Sequence, residues 1–335
     1  MALLTASAVH IDQPLSTLTV AWMQDATGFI ADKVFPRVSV TQKSNKYYIY
    51  DRAQFNRVGD VKERAPRTEA PTIGMSLSND SYLCRVYSLA TDFDFETLAN
   101  ADAGLELEQA SAAMLTSQLL IDREVKWTTK YFGASIWSTD WTGVSGVPTT
   151  NQVRQWSDYV NSTPLQDVTA ILQAVQLKSG GYRPNVMVVP RQVRDILINH
   201  PTILARINGG ATVANPAQVA DSLLAQLFGV EEFLVMDAIK NTAAEGLTES
   251  NAFIGGKGVG FYYRPRASGL MIPSAGYIFT WDELETASGY GLTMKTYEGD
   301  FLSVRGVAKK IEANLAYDQK VVSADLGAFI ATVIA

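Results

Sequence analysis

A glycine-rich stretch, Gly255-Gly256-Lys257-Gly258-Val259-Gly260, is the part of the sequence that most resembles a phosphate-binding loop. Such a loop needs Gly-Lys followed by Ser or Thr and then a helix, so that backbone amides and the lysine surround the phosphates. Here Gly258 follows Lys257, and strand-forming residues come next. Glycines spaced two apart also fail the dinucleotide-binding fingerprint. We therefore interpret the stretch as a turn between two strands.

Two acidic segments could carry other chemistry. In Asp92-Phe93-Asp94-Phe95-Glu96, alternation would place three carboxylates on one face of a strand, where they could bind a divalent cation. In Asp282-Glu283-Leu284-Glu285, two carboxylates could form a general acid/base pair. Neither segment is accompanied by a histidine or an activated serine motif, so a solvated surface is the favoured interpretation of both.

The sequence contains few other reactive residues. The chain has one cysteine, Cys84, and two histidines, His10 and His200, which excludes a disulfide within the chain and a zinc site of the Cys/His type. We expect Cys84 to be an inert buried thiol and His200, which precedes Pro201, to lie at a helix end. The sequence thus predicts no catalytic residue, no cofactor and no metal, and hence a protein that is not an enzyme.

Composition restricts the class of protein further. The 335 residues are 47% hydrophobic and 19% charged, as in a globular protein, and the net charge is −6. We therefore expect any contact with nucleic acid to be weak and general. The sequence contains neither an apolar run long enough to cross a membrane nor a start that resembles a signal peptide, so we expect synthesis in the cytosol and no membrane partner.

Residues 14–35 are predicted to form a helix that Pro36 ends. Its apolar stripe includes Leu18, Trp22 and Phe29, which are large side chains for so short an element. We expect these three residues to contact another subunit, because their burial needs a partner surface.

Residues 45–90 are predicted to form an extended hairpin, with strands at 46–50 and 81–89. The polar stretch between the strands holds too few large apolar residues for a core of its own, so the hairpin could lie on a neighbouring molecule. Its basic residues are the candidate contacts: Arg52, Arg57, Lys62, Arg64 and Arg67. A solvated loop is the alternative interpretation of this charge cluster.

The remaining elements indicate an α+β protein. Residues 97–132 are predicted to form one helix about 50 Å long, ending before Gly133. The face expected to be buried comprises Leu107, Ala110, Met114, Ile121, Val125 and Phe132. Residues 134–162 are rich in loops, and 163–299 show the pattern of an α/β domain with buried strands at 185–190 and 233–236. Alternation from Val307 to Tyr317 predicts a half-buried strand, and the apolar residues 326–334 predict another.

Several stretches resemble the major capsid proteins of tailed bacteriophages. The segment from Pro184 to Val193, running on to Asn199-His200-Pro201, is similar to a strand–helix segment of that family. The segment Leu227–Glu232 is similar to the stretch that follows it. Ala31-Asp32-Lys33-Val34-Phe35-Pro36, with Lys46-Tyr47-Tyr48, resembles the family's N-terminal arm and first strand.

The resemblance implies the Hong Kong 97-like fold, with residues 1–36 as the N-arm and 37–90 as the E-loop hairpin with its flanking strands. The P-domain would comprise 91–162, with the spine helix at 97–132, and the A-domain would comprise 163–299. Residues 300–335 would return to the P-domain as C-terminal strands.

The same resemblance implies a structural subunit that assembles into pentamers and hexamers of an icosahedral shell around double-stranded DNA. It implies a virion protein assembled in the bacterial cytoplasm, with a portal and possibly a decoration protein as partners. A separate scaffolding protein is expected, because the chain enters the predicted N-arm within about 15 residues. Crosslinking between Lys62 and Asn314, known in type from some members, is not expected. The alternatives are an encapsulin-type compartment and a soluble α/β enzyme.

Overall fold

A computed structural model gives the fold of the chain. The structure describes residues 28–50, 56–58, 61, 63–64, 66–70, 72–74, 76–100, 107–207, 220–244, 246–267, 272–281, 292–298 and 307–335. Within these ranges, no helix combines the length and the apolar character needed to cross a membrane.

The α-helices of the described residues lie between residues 31 and 228, whereas strands occur from residue 37 to residue 331. The helices are α1 Ala31–Val34, α2 Phe95–Ala99, α3 Leu107–Tyr131, α4 Pro164–Ser179, α5 Arg191–Ile198, α6 Pro201–Ile207 and α7 Asp221–Phe228. The first strands are β1 Arg37–Val40, β2 Ser44–Tyr50, β3 Leu77–Leu83, β4 Arg85–Asp94, β5 Thr139–Val144, β6 Gln152–Arg154, β7 Val186–Pro190 and β8 Glu232–Met236. The later strands are β9 Ile239–Asn241, β10 Asn251–Phe253, β11 Val259–Tyr262, β12 Gly276–Trp281, β13 Leu292–Glu298, β14 Val307–Val321 and β15 Gly327–Ala331.

One sheet is organised around β14. This 15-residue strand pairs with β4 along one edge, and with β13 and then β12 along the other edge, all antiparallel. β1 adds to β12 in parallel. The predicted strand is confirmed, but its half-buried character is not. Ile311, Ala313, Leu315 and Tyr317 are buried as expected, and Asn314 and Ala316, expected on the exposed face, are buried as well.

The long helix α3 packs its buried face against this sheet. That face follows an i, i+4 row through Ser111, Leu115, Leu119, Arg123 and Trp127. Trp127 and the neighbouring Tyr131 contact Phe35, with ring centroids 5.7 and 5.4 Å away.

Phe35 lies at the centre of an aromatic cluster. Besides the two rings on α3, it contacts Trp137 and Tyr262, each at 6.4 Å. Gly276 leaves room for the ring, since a Cβ at that position would lie 2.5 Å from Phe35 Cζ. The cluster joins the segment after α1 to α3 and to both large sheets.

The second large sheet has the strand order β6-β5-β15-β11-β7-β8. Both of its faces are covered, as the apolar run of β7 predicts. Val186 and Val188 point into the core shared with α3, whereas Met187 and Val189 point into a second core beneath α4. The helix α4 begins with Pro164 and ends at Gly180, whose φ of 77° is the left-handed conformation that glycine adopts readily.

The predicted spine helix is wrong in extent and in its buried face. Residues 95–99 form the separate helix α2, which is followed by the non-helical Asn100, and α3 as described, Leu107–Tyr131, spans about 37 Å. Met114, predicted to be buried, is exposed. The error in the face arose because half of the buried residues are polar, namely Ser111, Arg123 and Glu124.

The predicted helix at 14–35 can be compared only from Gly28 onward. Phe29 and Ile30 are not helical, and α1 is a single turn of four residues. The part of this prediction before Gly28 lies outside the described residues.

The strands pair across the predicted segments in three places. The strand expected at 81–89 is divided at Cys84, so that β3 belongs to the hairpin and β4 to the sheet of β14. Within the range 163–299, β12 and β13 pair with β14 rather than with the second large sheet. Conversely, β5, β6 and the C-terminal β15 belong to that second sheet, because strand pairing over long sequence distances is not visible in local patterns.

Replacing Phe35 tests the aromatic cluster. We expect Phe35→Ala to lower the free energy of unfolding by about 3–5 kcal/mol, because it leaves a cavity among four aromatic rings. Urea denaturation of the unassembled subunit measures this change. The exposed Phe95 is the matched control, and Phe95→Ala should cost far less. Equal losses in the two variants would show that the cluster is not a centre of stability.

Candidate functional site

The hairpin of β2 and β3 is attached to the first sheet at its base. The two strands pair from Ser44↔Leu83 to Tyr50↔Leu77. At the base, the ring of Tyr82 stacks on Phe279 of β12 at 4.6 Å. The Leu83 backbone N–H donates to the Asp318 carboxylate of β14 at 2.9 Å. A two-stranded ribbon is marginally stable by itself, so this attachment determines where the hairpin points.

The distal part of the hairpin exposes apolar side chains that the sequence analysis did not select. Val58 and Val61 are each 96% exposed, and Ile73 is also exposed. Asn56 Nδ2 donates to the Gly180 carbonyl oxygen at 3.3 Å, so the tip reaches the C-terminal end of α4. An exposed apolar surface of this kind is typical of a contact with another molecule.

Three of the five predicted basic contacts fall on described residues. Arg57, Arg64 and Arg67 are exposed in the segment between the strands. Arg52 and Lys62 lie outside the described residues.

The expected basic character of the tip needs correction. Four acidic residues are interleaved with the five basic ones: Asp51, Asp60, Glu63 and Glu69. The tip is therefore mixed in charge, and its exposed valines are at least as distinctive as its arginines.

The N-terminal contacts are only partly placed by the structure. Leu18 and Trp22 lie outside the described residues. Phe29 is buried in the subunit's own core beside Ile30 and Val34. For Phe29 this differs from the expected contact with another subunit, because its apolar surface is already covered within the chain.

A buried carboxylate holds the segment that follows Phe29. Glu124 of α3 is only 1% exposed. Its Oε1 accepts the N–H of Ile30 at 3.1 Å, and its Oε2 accepts the N–H of Ala31 at 3.0 Å. Burial raises the pKa of Glu124 to about 7, against the lowering effect of these two N–H groups and of Arg123.

An ion-pair network extends this attachment. The Asp32 carboxylate accepts hydrogen bonds from both Arg123 of α3 and Arg37 of β1, and the Arg123–Asp32 separation is 2.5 Å. Arg123 is almost fully buried. We define residues Phe29–Arg37, with Arg123 and Glu124, as the N-terminal anchor. The sequence analysis missed it, although two adjacent charged residues, Arg123 and Glu124, within an otherwise apolar row were a usable signal.

The glycine-rich stretch is a turn between β10 and β11, as predicted. It has no room for a phosphate at Gly258, where a Cβ would already lie 2.3 Å from Phe329 Cζ. Lys257 is used structurally: its carbonyl accepts the N–H of Val333 at 2.8 Å, and its ammonium donates to the Ala335 oxygen at 2.6 Å.

The acidic candidates do not form a site in the described part of the chain. Asp94 caps α2 by accepting the Thr97 N–H at 2.7 Å, Asp92 pairs with Lys310, and Glu96 lies on the helix, so the three do not share one strand face. Among the described residues, no three His, Cys, Asp or Glu side chains are placed to hold a metal ion. Residues 282–285 lie outside the described residues.

His200 and Cys84 are both buried. His200 Nε2 lies 2.9 Å from Ser162 Oγ, and Nδ1 lies 2.7 Å from Thr202 Oγ. Ser162 Oγ also donates to the Asp158 carbonyl at 2.6 Å, so its proton is engaged there and His200 Nε2 acts as the donor to it. This arrangement ties the loop before α4 to the start of α6 and leaves Ser162 unsuited to act as a nucleophile.

The raised pKa of Glu124 predicts a pH dependence of stability. Its folded-state pKa of about 7 exceeds the value of 4.5 for an exposed glutamate. The contribution of this group is therefore fully present below pH 4.5 and is lost as pH rises through 7. Between pH 5 and 8, we expect the free energy of unfolding of the wild-type subunit to fall by up to about 3 kcal/mol more than that of Glu124→Gln.

Urea denaturation of unassembled subunits across this pH range makes the comparison. Glu108, which pairs with Lys309 on the exposed side of the same helix, is the matched control, and Glu108→Gln should follow the wild type. Identical pH profiles for wild type and Glu124→Gln would contradict the assignment.

Comparison with known proteins gives one curated sequence relative and several solved structures. No protein-family model matches the chain. The major capsid protein of Pseudomonas phage JBD67 is 27% identical over 256 residues, which cover 76% of this chain and 78% of that protein.

The similar solved structures cover nearly the whole chain. A phage-related protein of Bordetella bronchiseptica has a TM-score of 0.64 at 19% identity and covers 92% of this chain and 94% of its own. The capsid of cyanophage P-SCSP1u has a TM-score of 0.58 at 11% identity, covering 94% and 90%. The SrpI encapsulin of Synechococcus elongatus PCC 7942 also has a TM-score of 0.58 at 11% identity, covering 99% and 96%. The chain thus has the α+β, Hong Kong 97-like fold, and its predicted resemblance to the major capsid proteins of tailed bacteriophages is confirmed.

Proposed function

We propose that the chain is the major capsid protein of a tailed bacteriophage. In this role it is a structural subunit that self-assembles into the pentamers and hexamers of an icosahedral shell around double-stranded DNA. The observation that carries the proposal is the similarity to the phage JBD67 major capsid protein over about three quarters of both chains. The shared fold supports it independently of sequence identity.

The form of the subunit supports a role in assembly. The hairpin of β2 and β3 has no third strand in the described residues and presents exposed valines and mixed charges at its tip. Such a surface gains stability when a second copy covers it. The candidate catalytic residues that the structure describes are engaged in caps, ion pairs or buried hydrogen bonds, which favours a subunit without enzymatic activity.

The proposal includes partners and a location. The shell would assemble in the bacterial cytoplasm with a separate scaffolding protein, a portal and possibly a decoration protein, and would become part of the virion. The net charge of −6 favours weak, general contact with the packaged DNA. Covalent crosslinking is not part of the proposal, because Asn314 is buried and its side-chain amide already donates to Glu312.

An encapsulin-type compartment is the second candidate. It is favoured by the SrpI encapsulin, whose TM-score equals that of the cyanophage capsid. The fold therefore does not separate the two functions, and the 27% identical phage relative is the reason to prefer the capsid.

Assembly of the purified chain tests the proposal. The chain is produced with and without a candidate scaffolding protein, and the product is examined by size-exclusion chromatography and negative-stain microscopy. Closed shells without an enzyme cargo are expected. Shells filled with a cellular enzyme would establish the encapsulin, and a stable monomer or dimer under all these conditions would refute both.

Charge reversal on the hairpin gives a residue-level prediction. We expect changing Arg57, Lys62, Arg64 and Arg67 to Glu to leave the subunit folded by circular dichroism and to reduce shell yield by about tenfold or more. The reason is that like charges then meet on facing subunits. Arg266→Glu, on an exposed side chain far along the chain, is the control. Normal shell yield from the quadruple variant would show that these hairpin charges have no role in assembly.

A further inference from the structure

We propose that His200 and Ser162 form a proton-sensitive latch, which holds the loop 158–163 on the start of α6 and releases it in acid. The inference is independent of the proposed function, because it concerns one subunit and holds whether or not copies assemble. It assigns a role to a fully buried histidine for which the capsid function gives none.

The hydrogen-bond partners of His200 assign its protonation state. Ser162 Oγ donates its own proton to the Asp158 carbonyl oxygen at 2.6 Å, so it accepts from His200 Nε2–H at 2.9 Å. The other ring nitrogen, Nδ1, lies 3.3 Å from the Thr202 backbone nitrogen and 2.7 Å from Thr202 Oγ. A backbone N–H can only donate, so Nδ1 is the acceptor and the ring is neutral.

A second proton on Nδ1 would break this arrangement. The Thr202 hydroxyl can turn and accept, but the Thr202 N–H would then face another donor. Thr202 is the second residue of α6, and His200 caps the first turn of that helix by accepting its N–H. Protonation would therefore leave a buried amide without an acceptor beside a buried positive charge.

The surroundings of His200 offer no counter-charge for that proton. Burial lowers the pKa of His200, and no charged group among the described residues contributes to the shift. The ring of Tyr159 covers the imidazole on one side at 5.6 Å, and Arg206 of α6 is exposed. The other charged side chains on the loop and on the neighbouring helices have their own partners, in the pairs Arg154–Asp158, Asp167–Trp156, Arg191–Asp195 and Arg194–Asp221.

The sign of the pH effect follows from this burial. Opening the loop removes Ser162 and Tyr159 from His200 and admits water, which returns its pKa to the ordinary value of 6.5. The open form therefore binds a proton more readily than the closed form. The latch is fully held above pH 6.5 and is lost as pH falls toward the lowered pKa of the closed form. Within that window, each pH unit favours opening by about tenfold.

The loop that the latch holds presents apolar side chains to solvent. Val160 is 88% exposed and Tyr159 is 41% exposed. The Asp158 carboxylate accepts the N–H groups of Val160 and Asn161, each at 3.2 Å, so the closed loop presents Val160 in one fixed position. Release of the latch therefore changes the apolar surface that the subunit offers here.

Hydrogen exchange of the full-length, unassembled subunit tests the latch. Between about pH 7.5 and pH 5, we expect protection factors at residues 158–163 to fall by about tenfold or more, after correction for the intrinsic effect of pH on exchange. Strand β7, in the core of the second sheet, is the internal reference and should keep its protection. Unchanged protection at 158–163, or an equal loss in β7, would overturn the proposal.

Two substitutions separate the two bonds of His200. His200→Gln can place an amide N–H near the position of Nε2 but does not titrate, so protection at 158–163 should be similar at both pH values. His200→Asn can place an oxygen near the position of Nδ1 and cap Thr202, but it does not reach Ser162. We expect rapid exchange at 158–163 at both pH values in this variant. A wild-type pH dependence in either variant would contradict the latch.

A measurement on the wild type covers the case in which neither variant folds. The imidazole signals of the two histidines, His10 and His200, are followed by NMR as pH is lowered and are assigned with His10→Gln. We expect the His200 signal to titrate below 6.5 and to change together with the loss of protection at 158–163. Titration of His200 at or above 6.5 would overturn the proposal.

Discussion

The backbone of β14 must find hydrogen-bond partners along both of its edges, since most of its side chains are buried and little water reaches it. That requirement brings together strands that are far apart in the chain: β4 on one edge, and β12 and β13 on the other. β1 is placed in the sheet by its pairing with β12. The position of the hairpin is set because β3 leads directly into β4. The hairpin and the N-terminal anchor therefore take their positions from one strand.

The hairpin and the anchor are mechanically linked because one sheet holds both. The hairpin base contacts Asp318 of β14 and Phe279 of β12, while the anchor reaches the same sheet through Arg37 at the start of β1. A displacement of either segment would have to disturb the sheet or the aromatic cluster around Phe35. Both segments are therefore held on the same stiff sheet.

The sequence predicted the elements that depend on local pattern. The presence of β14, the apolar run of β7 and the end of α4 at Gly180 were all readable, as was the turn that begins at Gly255. The family resemblance predicted the fold. Long-range pairing was not readable, so the pairing of β12 and β13 with β14 and the place of β15 between β5 and β11 were not predicted.

The anchor was missed for a different physical reason. A search for apolar stripes passes over Glu124 and Arg123, whose burial is compensated by partners about 90 residues earlier in the chain. The hairpin tip was misjudged in a related way, because the prediction considered its basic residues and left out the acidic residues and valines interleaved with them. The inter-subunit roles of the selected residues stay predictions.

The position of β15 has a consequence for biosynthesis. This strand lies between β5 and β11, so the second sheet remains in two separate pieces until residues 327–331 are available. β14 occupies the equivalent place in the first sheet and also comes late in the chain. During synthesis, neither sheet can close until these residues have left the ribosome, so the strands made earlier lack their central partners until then.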